Sequence, residues 1–247
     1  MPRYRQIIIA TLFLSVTACA GPPTSPEVSR TPSHASSSAS KAASCSNPGG
    51  GDCLGDLAAG TYGTRQFRPG FSYTVPPGWR NDEDLPGNFF LYRSNDPQSG
   101  VVGGSYLGIY QNVRAAAIDC SEAAQPGVGI TPGQLIVWYQ TIPGLVVSSP
   151  KSVTVGGLSG FQIDLALKPG TRACSFEGHP GIPLVIGNGV SELHHVILHE
   201  LDVRLIILDW KNGNVVLEIT SVKDRVSSEE YRATVQPIVD SLQFEVT

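Results

Sequence analysis

The 247-residue chain is 41% hydrophobic and only 15% charged, with 17 Lys+Arg against 21 Asp+Glu and a formal net charge of −4. That balance lacks the basic footprint with which proteins neutralise nucleic-acid phosphates, and without a basic cluster no polybasic patch holds a folded domain flat on anionic lipid. The length suits one domain with a proper core, and no internal repeat is visible.

At the N-terminus Arg3 and Arg5 precede an apolar run from Ile7 to Val16, the layout of an export signal. The run is too short to span, because a transmembrane helix needs about 20 apolar residues. Next come Val16-Thr17-Ala18-Cys19, which resemble the lipobox of bacterial lipoproteins. The resemblance implies a signal peptide over residues 1–18, a diacylated Cys19 as the first residue after cleavage, and a place on the extracytoplasmic face of the cell membrane. Each buried acyl CH₂ contributes about 0.8 kcal/mol, so two or three chains anchor durably where one does not.

From Ala20 to Pro48 the composition falls to Ser, Ala, Pro and Thr, with Glu27, Arg30 and Lys41 as the charges. Such a stretch buries too little to offset its ordering entropy, so residues 19–52 are expected to form a disordered tether with a reach of roughly 30 Å. Export also sets the redox compartment. With Cys19 set aside, Cys45, Cys53, Cys120 and Cys174 are expected to form disulfides. Three pairings are possible; Cys45 with Cys53, close in the chain, and Cys120 with Cys174 are preferred. None of the four lies in a C-x-x-C pair, so no zinc cluster is expected.

Residues 53–247 read as a single α+β domain. Strands are predicted first over 62–67 and 71–75, where apolar residues alternate or run between Gly and Pro. Trp79 follows Pro76-Pro77-Gly78 and is expected to be half-buried at a sheet edge. Asn81-Asp82-Glu83-Asp84, with Asn88 nearby, reads as a solvated acidic loop; its oxygens suit calcium, but the D-x-[DN]-x-[DN]-G order is missing. Further strands are predicted over 89–93 and 105–113. Thr131 with Gln134 forms a capping box and Pro132 suits a first helical turn, followed by Leu135, Trp138, Tyr139 and Ile142 at helical spacing. Strands are expected again over 145–149, 161–167, 195–201, 203–210 and 214–222, with a tight hairpin at Lys211-Asn212-Gly213. A second capping box, Ser227 with Glu230, opens a helix carrying Tyr231, Val235, Ile238 and Leu242, in which Pro237 should cause a kink. The expected fold is therefore a largely antiparallel sheet with two amphipathic helices packed on it.

The stretches Trp138–Leu145, Val153–Gly160 and Pro237–Phe244, with the hairpin around Gly213, resemble a group of uncharacterised secreted lipoproteins of high-GC Gram-positive bacteria. The element order is similar to the Mog1/PsbP-like α/β/α fold. Neither resemblance implies a catalytic residue or a cofactor.

The chemistry-bearing residues are few. His194, His195, His199 and Glu200 cluster in sequence, and on a helix His195 and His199 would face one ion, the basis of an alternative reading as a metal-dependent hydrolase. The order His195-Val-Ile-Leu-His199-Glu200 is not H-E-x-x-H, and on a strand the two imidazoles stand about 13 Å apart. No metal ligand is therefore assigned. Gly157-Leu158-Ser159-Gly160 is not a G-x-S-x-G elbow, and neither a dinucleotide fingerprint nor a P-loop is present. The reading is a lipoprotein held to the membrane through Cys19, with a non-catalytic binding or structural role in the envelope. Its partner is expected to be an envelope protein, a cell-wall component or a small ligand.

Overall fold

Two consecutive runs, Leu201–Trp210 and Gly213–Val222, carry apolar side chains on both sides of an extended backbone, and all ten residues of the second are buried. Strands of this kind cannot face water on either side, so the sheet they belong to needs cover on both faces. The computed structural model describes residues 54–96, 103–187, 194–223, 225 and 227–245. Cys19, Cys45, Cys53 and the tether lie outside the described residues.

In chain order the elements are β1 (Gly55–Leu57), β2 (Gly60–Gly63), β3 (Phe71–Val75), β4 (Trp79–Leu85), β5 (Asn88–Arg93), β6 (Tyr106–Gln111), β7 (Arg114–Ala115) and α1 (Pro132–Thr141). They continue with β8 (Leu145–Val147), β9 (Lys151–Val155), β10 (Leu158–Leu167), β11 (Cys174–Phe176), β12 (His179–Ile186) and β13 (His194–Leu198). The last are β14 (Leu201–Trp210), β15 (Gly213–Val222), α2 (Ser228–Ser241) and β16 (Gln243–Phe244).

The main sheet runs β1-β4-β5-β6-β15-β14-β10, with β8 and β9 both on the far side of β10. A second sheet is built on β12, paired with β7, β11 and β13, and a third runs β16-β3-β2. All these pairings are antiparallel, and with the two helices this makes an α+β fold. Period-two alternation divides the core. Leu107, Ile109, Ile206, Leu208, Val215 and Leu217 pack with Phe71 and Tyr73 of β3 and with Tyr231, Val235 and Ile238 of α2. Their neighbours in the same strands, among them Tyr110, Leu205, Ile207 and Val216, pack with Leu135 and Tyr139 of α1 and with Ile182, Leu184 and Ile197 of the second sheet.

The first capping box forms as the sequence predicts, and of the second the Ser227 half forms. Thr131 donates its N–H to Gln134 Oε1 at 3.2 Å, and Ser227 Oγ accepts the Glu230 N–H at 3.1 Å. Several details differ from the sequence reading. The expected acidic loop at 81–84 is strand β4, and Trp79 at its start is fully buried. Polar side chains hid this strand, because Asp84 faces inward and takes backbone N–H groups from Arg65, Gln66 and Phe67 at 2.7, 3.3 and 2.9 Å. Those bonds hold 65–67 as a loop, so the strand expected over 62–67 stops at Gly63. Strand β12 was unforeseen because Pro180, Gly181 and Pro183 lie in it, and the register shifts between Pro183 and Val185 as a bulge lets them in.

The β14–β15 hairpin is displaced by one residue. Lys211 and Asn212 form the turn, Lys211 takes φ 50°, and Gly213 already pairs with Trp210. Glycine is needed at 213 for a different reason, since a Cβ there would stand 1.9 Å from Asn112 Oδ1.

Cys120, in the loop after β7, and Cys174, which opens β11, stand as a disulfide-capable pair with Cα atoms 5.6 Å apart. The loop such a bond closes, 54 residues apart in sequence, contains α1. Reducing it should lower stability by about 4 kcal/mol, and equal urea midpoints with and without reductant would count against the bond. Asp84→Ala should cost roughly 2–4 kcal/mol in urea unfolding, because it strands three backbone donors of the 65–67 loop. A loss below about 0.5 kcal/mol would show that water reaches those groups.

Candidate functional site

Of the histidines flagged in the sequence, His195 is drawn toward the interior. It lies on β13, in the second sheet, and its Nδ1 stands 3.3 Å from Glu218 Oε2 on β15 of the main sheet. The hydroxyls of Tyr106 and Tyr110, both on β6, each lie 3.1 Å from the same Nδ1. Phe90 from β5 packs on both tyrosines and on the imidazole, closing the group with an aromatic wall.

The local sequence explains how four polar groups fit between two sheets. Phe90, Gly108 and Glu218 are opposite one another across β5, β6 and β15. Tyr106 and Tyr110 lie two residues either side of Gly108, so their side chains share its face of the sheet. A Cβ at Gly108 would come 2.0 Å from the Tyr110 hydroxyl. The missing side chain is the space into which Tyr110 folds.

Glu218 is 1% exposed. Burial pushes its carboxyl up to about 7, against hydrogen bonding from Tyr106, Tyr110 and Thr220, which pulls it down. Burial likewise raises both tyrosines well above their ordinary range, with the Glu218 charge adding to the effect. The group is chemically a proton-holding cluster inside the fold. His195 retains some exposure, with 11% of its side chain open.

The other flagged residues go elsewhere. His199 and Glu200 form the turn between β13 and β14. The His199 carbonyl accepts from Lys223 Nζ at 2.7 Å, and Glu200 pairs with His179 Nδ1 at 2.8 Å. His195 and His199 are thus drawn to different partners. Among the described residues no three His, Cys, Asp or Glu side chains lie close enough to hold a metal ion.

Sequence reasoning missed Glu218, Tyr106 and Tyr110. Two signals were present: a single acid inside the apolar run Val215-Val216-Leu217-Glu218-Ile219, and the spacing Tyr106-Leu-Gly108-Ile-Tyr110.

Three clefts among the described residues are lined by residues of the covering layers. One of 470 Å³ has Cys120 and Cys174 in its wall with Ile142 and Ile182. A second, 350 Å³, lies along α1 beside Val137 and Trp138. A third, 360 Å³, lies between the end of β5 and α2, and includes Arg93, Arg225 and Tyr231.

No protein-family model matches the chain, and no curated protein matches it. Solved structures similar to it include a protein from Bacteroides thetaiotaomicron VPI-5482, at 14% identity and TM-score 0.36, over 71% of this chain and 45% of that one. The chain therefore spans less than half the length of that protein. Cyanobacterial PsbP (CyanoP) from Synechocystis sp. PCC 6803 is 10% identical with TM-score 0.39, over 76% of this chain and 94% of that one. LpqN of Mycobacterium tuberculosis, involved in cell envelope biogenesis, is 12% identical with TM-score 0.35, over 75% and 84%. At these values the likeness is distant and transfers no residue role.

The buried carboxyl makes stability depend on pH. Its folded pKa of about 7 lies above the ordinary 4.5, so the folded chain holds this proton more tightly than the unfolded one. The stability gained is complete below about pH 4.5 and is lost as pH rises through about 7. Urea unfolding of the wild type should therefore lose about 3 kcal/mol across that window relative to Glu218→Gln, which holds no titrating proton there. Parallel pH profiles of the two proteins would assign the titration to another group.

Proposed function

We propose that this chain is an extracytoplasmic lipoprotein, held to the cell membrane through lipid on Cys19, whose α+β domain has a non-catalytic binding or structural role in the envelope. The observation that carries the reading is the meeting of Cys120 with Cys174, 54 residues apart in sequence, in a geometry that closes as a disulfide. Such pairs persist in oxidising compartments outside the cytoplasm. The Val16-Thr17-Ala18-Cys19 motif points to the same compartment. Among the described residues no helix is long and apolar enough to cross a membrane, so the anchor in this reading is the acylated cysteine.

The placement of the charged groups favours binding over catalysis. His195 spends its Nδ1 on an interior contact with Glu218 and two tyrosines, and His199 sits in a turn. The partner in this reading is an envelope protein, a cell-wall component or a small ligand, received in one of the clefts at the edges of the covering layers.

The experiment is metabolic labelling with a fatty-acid precursor in the producing bacterium. Wild-type chain should carry the label and partition with membranes, whereas Cys19→Ala should carry none. Equal labelling of the two would overturn the anchor.

A further inference from the structure

The cleft between β5 and α2 carries four charged side chains, against Asp119 and Arg172 in the 470 Å³ cleft and none in the cleft along α1. Its 360 Å³ falls within the range of small-molecule sites, and its wall holds two cations, Arg93 and Arg225, and two anions, Asp96 and Glu230. These groups come from separate parts of the chain. Arg93 ends β5, with its guanidinium 5.6 Å above the Trp79 ring, which fixes it against the sheet. Asp96 sits in the turn that follows, its N–H bonded to the Arg93 carbonyl at 3.0 Å. Arg225, between β15 and α2, places Nη1 3.5 Å from Asp96 Oδ1. Glu230 belongs to the first turn of α2.

Tyr231 supplies the second observation. It is 5% exposed, it lines the cleft, and its hydroxyl has no hydrogen-bond partner among the described residues. Burial pushes its ionisation up; Asp96 adds to that and Arg93 opposes it, so the phenol oxygen lies within the field of both charges. A hydroxyl kept from water without a partner is costly, and phenylalanine would fill the same space without that cost. A tyrosine at this place is accounted for by a ligand that accepts its hydrogen bond.

We propose that this cleft binds a small zwitterion of the α-amino acid class, its carboxylate on the Tyr231 hydroxyl and the Arg93 guanidinium and its ammonium on the Glu230 carboxylate. The charges decide the class. A plain anion would meet two carboxylates and a plain cation two guanidiniums, while a molecule carrying both signs satisfies each side of a wall whose formal charges cancel. The inference rests on the binding role proposed above and gives it a ligand.

The test is isothermal titration of the full mature chain in detergent, with L-alanine, acetate and ethylamine as separate probes. Alanine should bind saturably, and acetate and ethylamine each at least about tenfold more weakly, since each keeps only one charged contact. Tyr231→Phe should weaken alanine by about tenfold or more while the thermal unfolding midpoint stays or rises. Glu230→Gln, on the exposed start of α2, should weaken alanine but leave acetate unchanged, and so tests the site even if the first variant folds poorly. Absence of saturation up to about 10 mM alanine, acetate binding as tightly as alanine, or full affinity in both variants would overturn the proposal. Such a failure beside normal lipid labelling removes the ligand and leaves the lipoprotein reading in place, whereas lost labelling with intact alanine binding does the reverse.

Discussion

A β-strand with apolar side chains on both faces has to be covered twice, and the pair β14–β15 imposes that condition on everything around it. All of β15 is buried. One face is closed by α2 and the small β16-β3-β2 sheet, the other by α1 and the sheet built on β12. Neither cover is continuous in sequence. The first combines the two ends of the described domain, and the bond between Phe244 N–H and the Gly156 carbonyl, 3.1 Å, ties the last strand to the turn before β10. The second cover is assembled from the middle of the chain, and the Cys120–Cys174 pair spans its loops.

Most polar groups inside such a structure need partners, and the domain supplies them in different ways. Asp84 and Asn214 answer backbone groups. Asp84 takes three N–H groups from one loop, while Asn214 accepts from Val113 N–H at 3.0 Å and donates to the carbonyls of Val113 and Ile130 at 2.9 and 2.7 Å. These residues pin loops to the sheet. Asp164 instead meets side-chain cations at the surface, Arg204 at 2.7 Å and Arg232 at 3.3 Å. Glu218 belongs to neither kind. Its neighbours are ionisable or phenolic side chains from β6 and β13, so its proton is shared with the contact between two sheets rather than fixed by the backbone. With its carboxyl pushed up to about 7, Glu218 changes charge at that contact within the ordinary pH range.

The cleft between β5 and α2 lies at a seam between cover and sheet, where the sheet supplies rigid positions and the cover supplies variable ones. Arg93 and Trp79 belong to the sheet, Glu230 and Tyr231 to a helix laid over it. A charge-balanced seam with an unanswered tyrosine hydroxyl differs in kind from the apolar cleft along α1. It is in such differences, rather than in the fold, that a protein's chemistry resides.

Much of this was legible in one dimension. The Val16–Cys19 motif, the alternation that makes 71–75, 89–93, 203–210 and 214–222 strands, and the Thr131 and Ser227 caps are all local, and local physics suffices for them: side-chain period and the unsatisfied N–H groups of a first helical turn. Strands whose inward positions are polar or proline were not legible. Asp84 on β4 and Pro183 on β12 are accepted by partners distant in sequence, a carboxylate by a loop 17 to 19 residues earlier and a proline by a bulge against β13. The chemical groups depended still more on tertiary structure. Alternation shows which side chains leave water but not which ones meet there, so the histidine pair His195 and His199 looked like a site while the actual companions of His195 were Glu218, 23 residues on, and two tyrosines on β6 at separations of 89 and 85 residues. The residue order at 16–19, the helix caps and the alternation of β14 and β15 are properties of contiguous residues and the sequence alone determines them; a buried proton cluster and a charge-balanced cleft exist only once sheet pairing brings non-contiguous residues within hydrogen-bond reach.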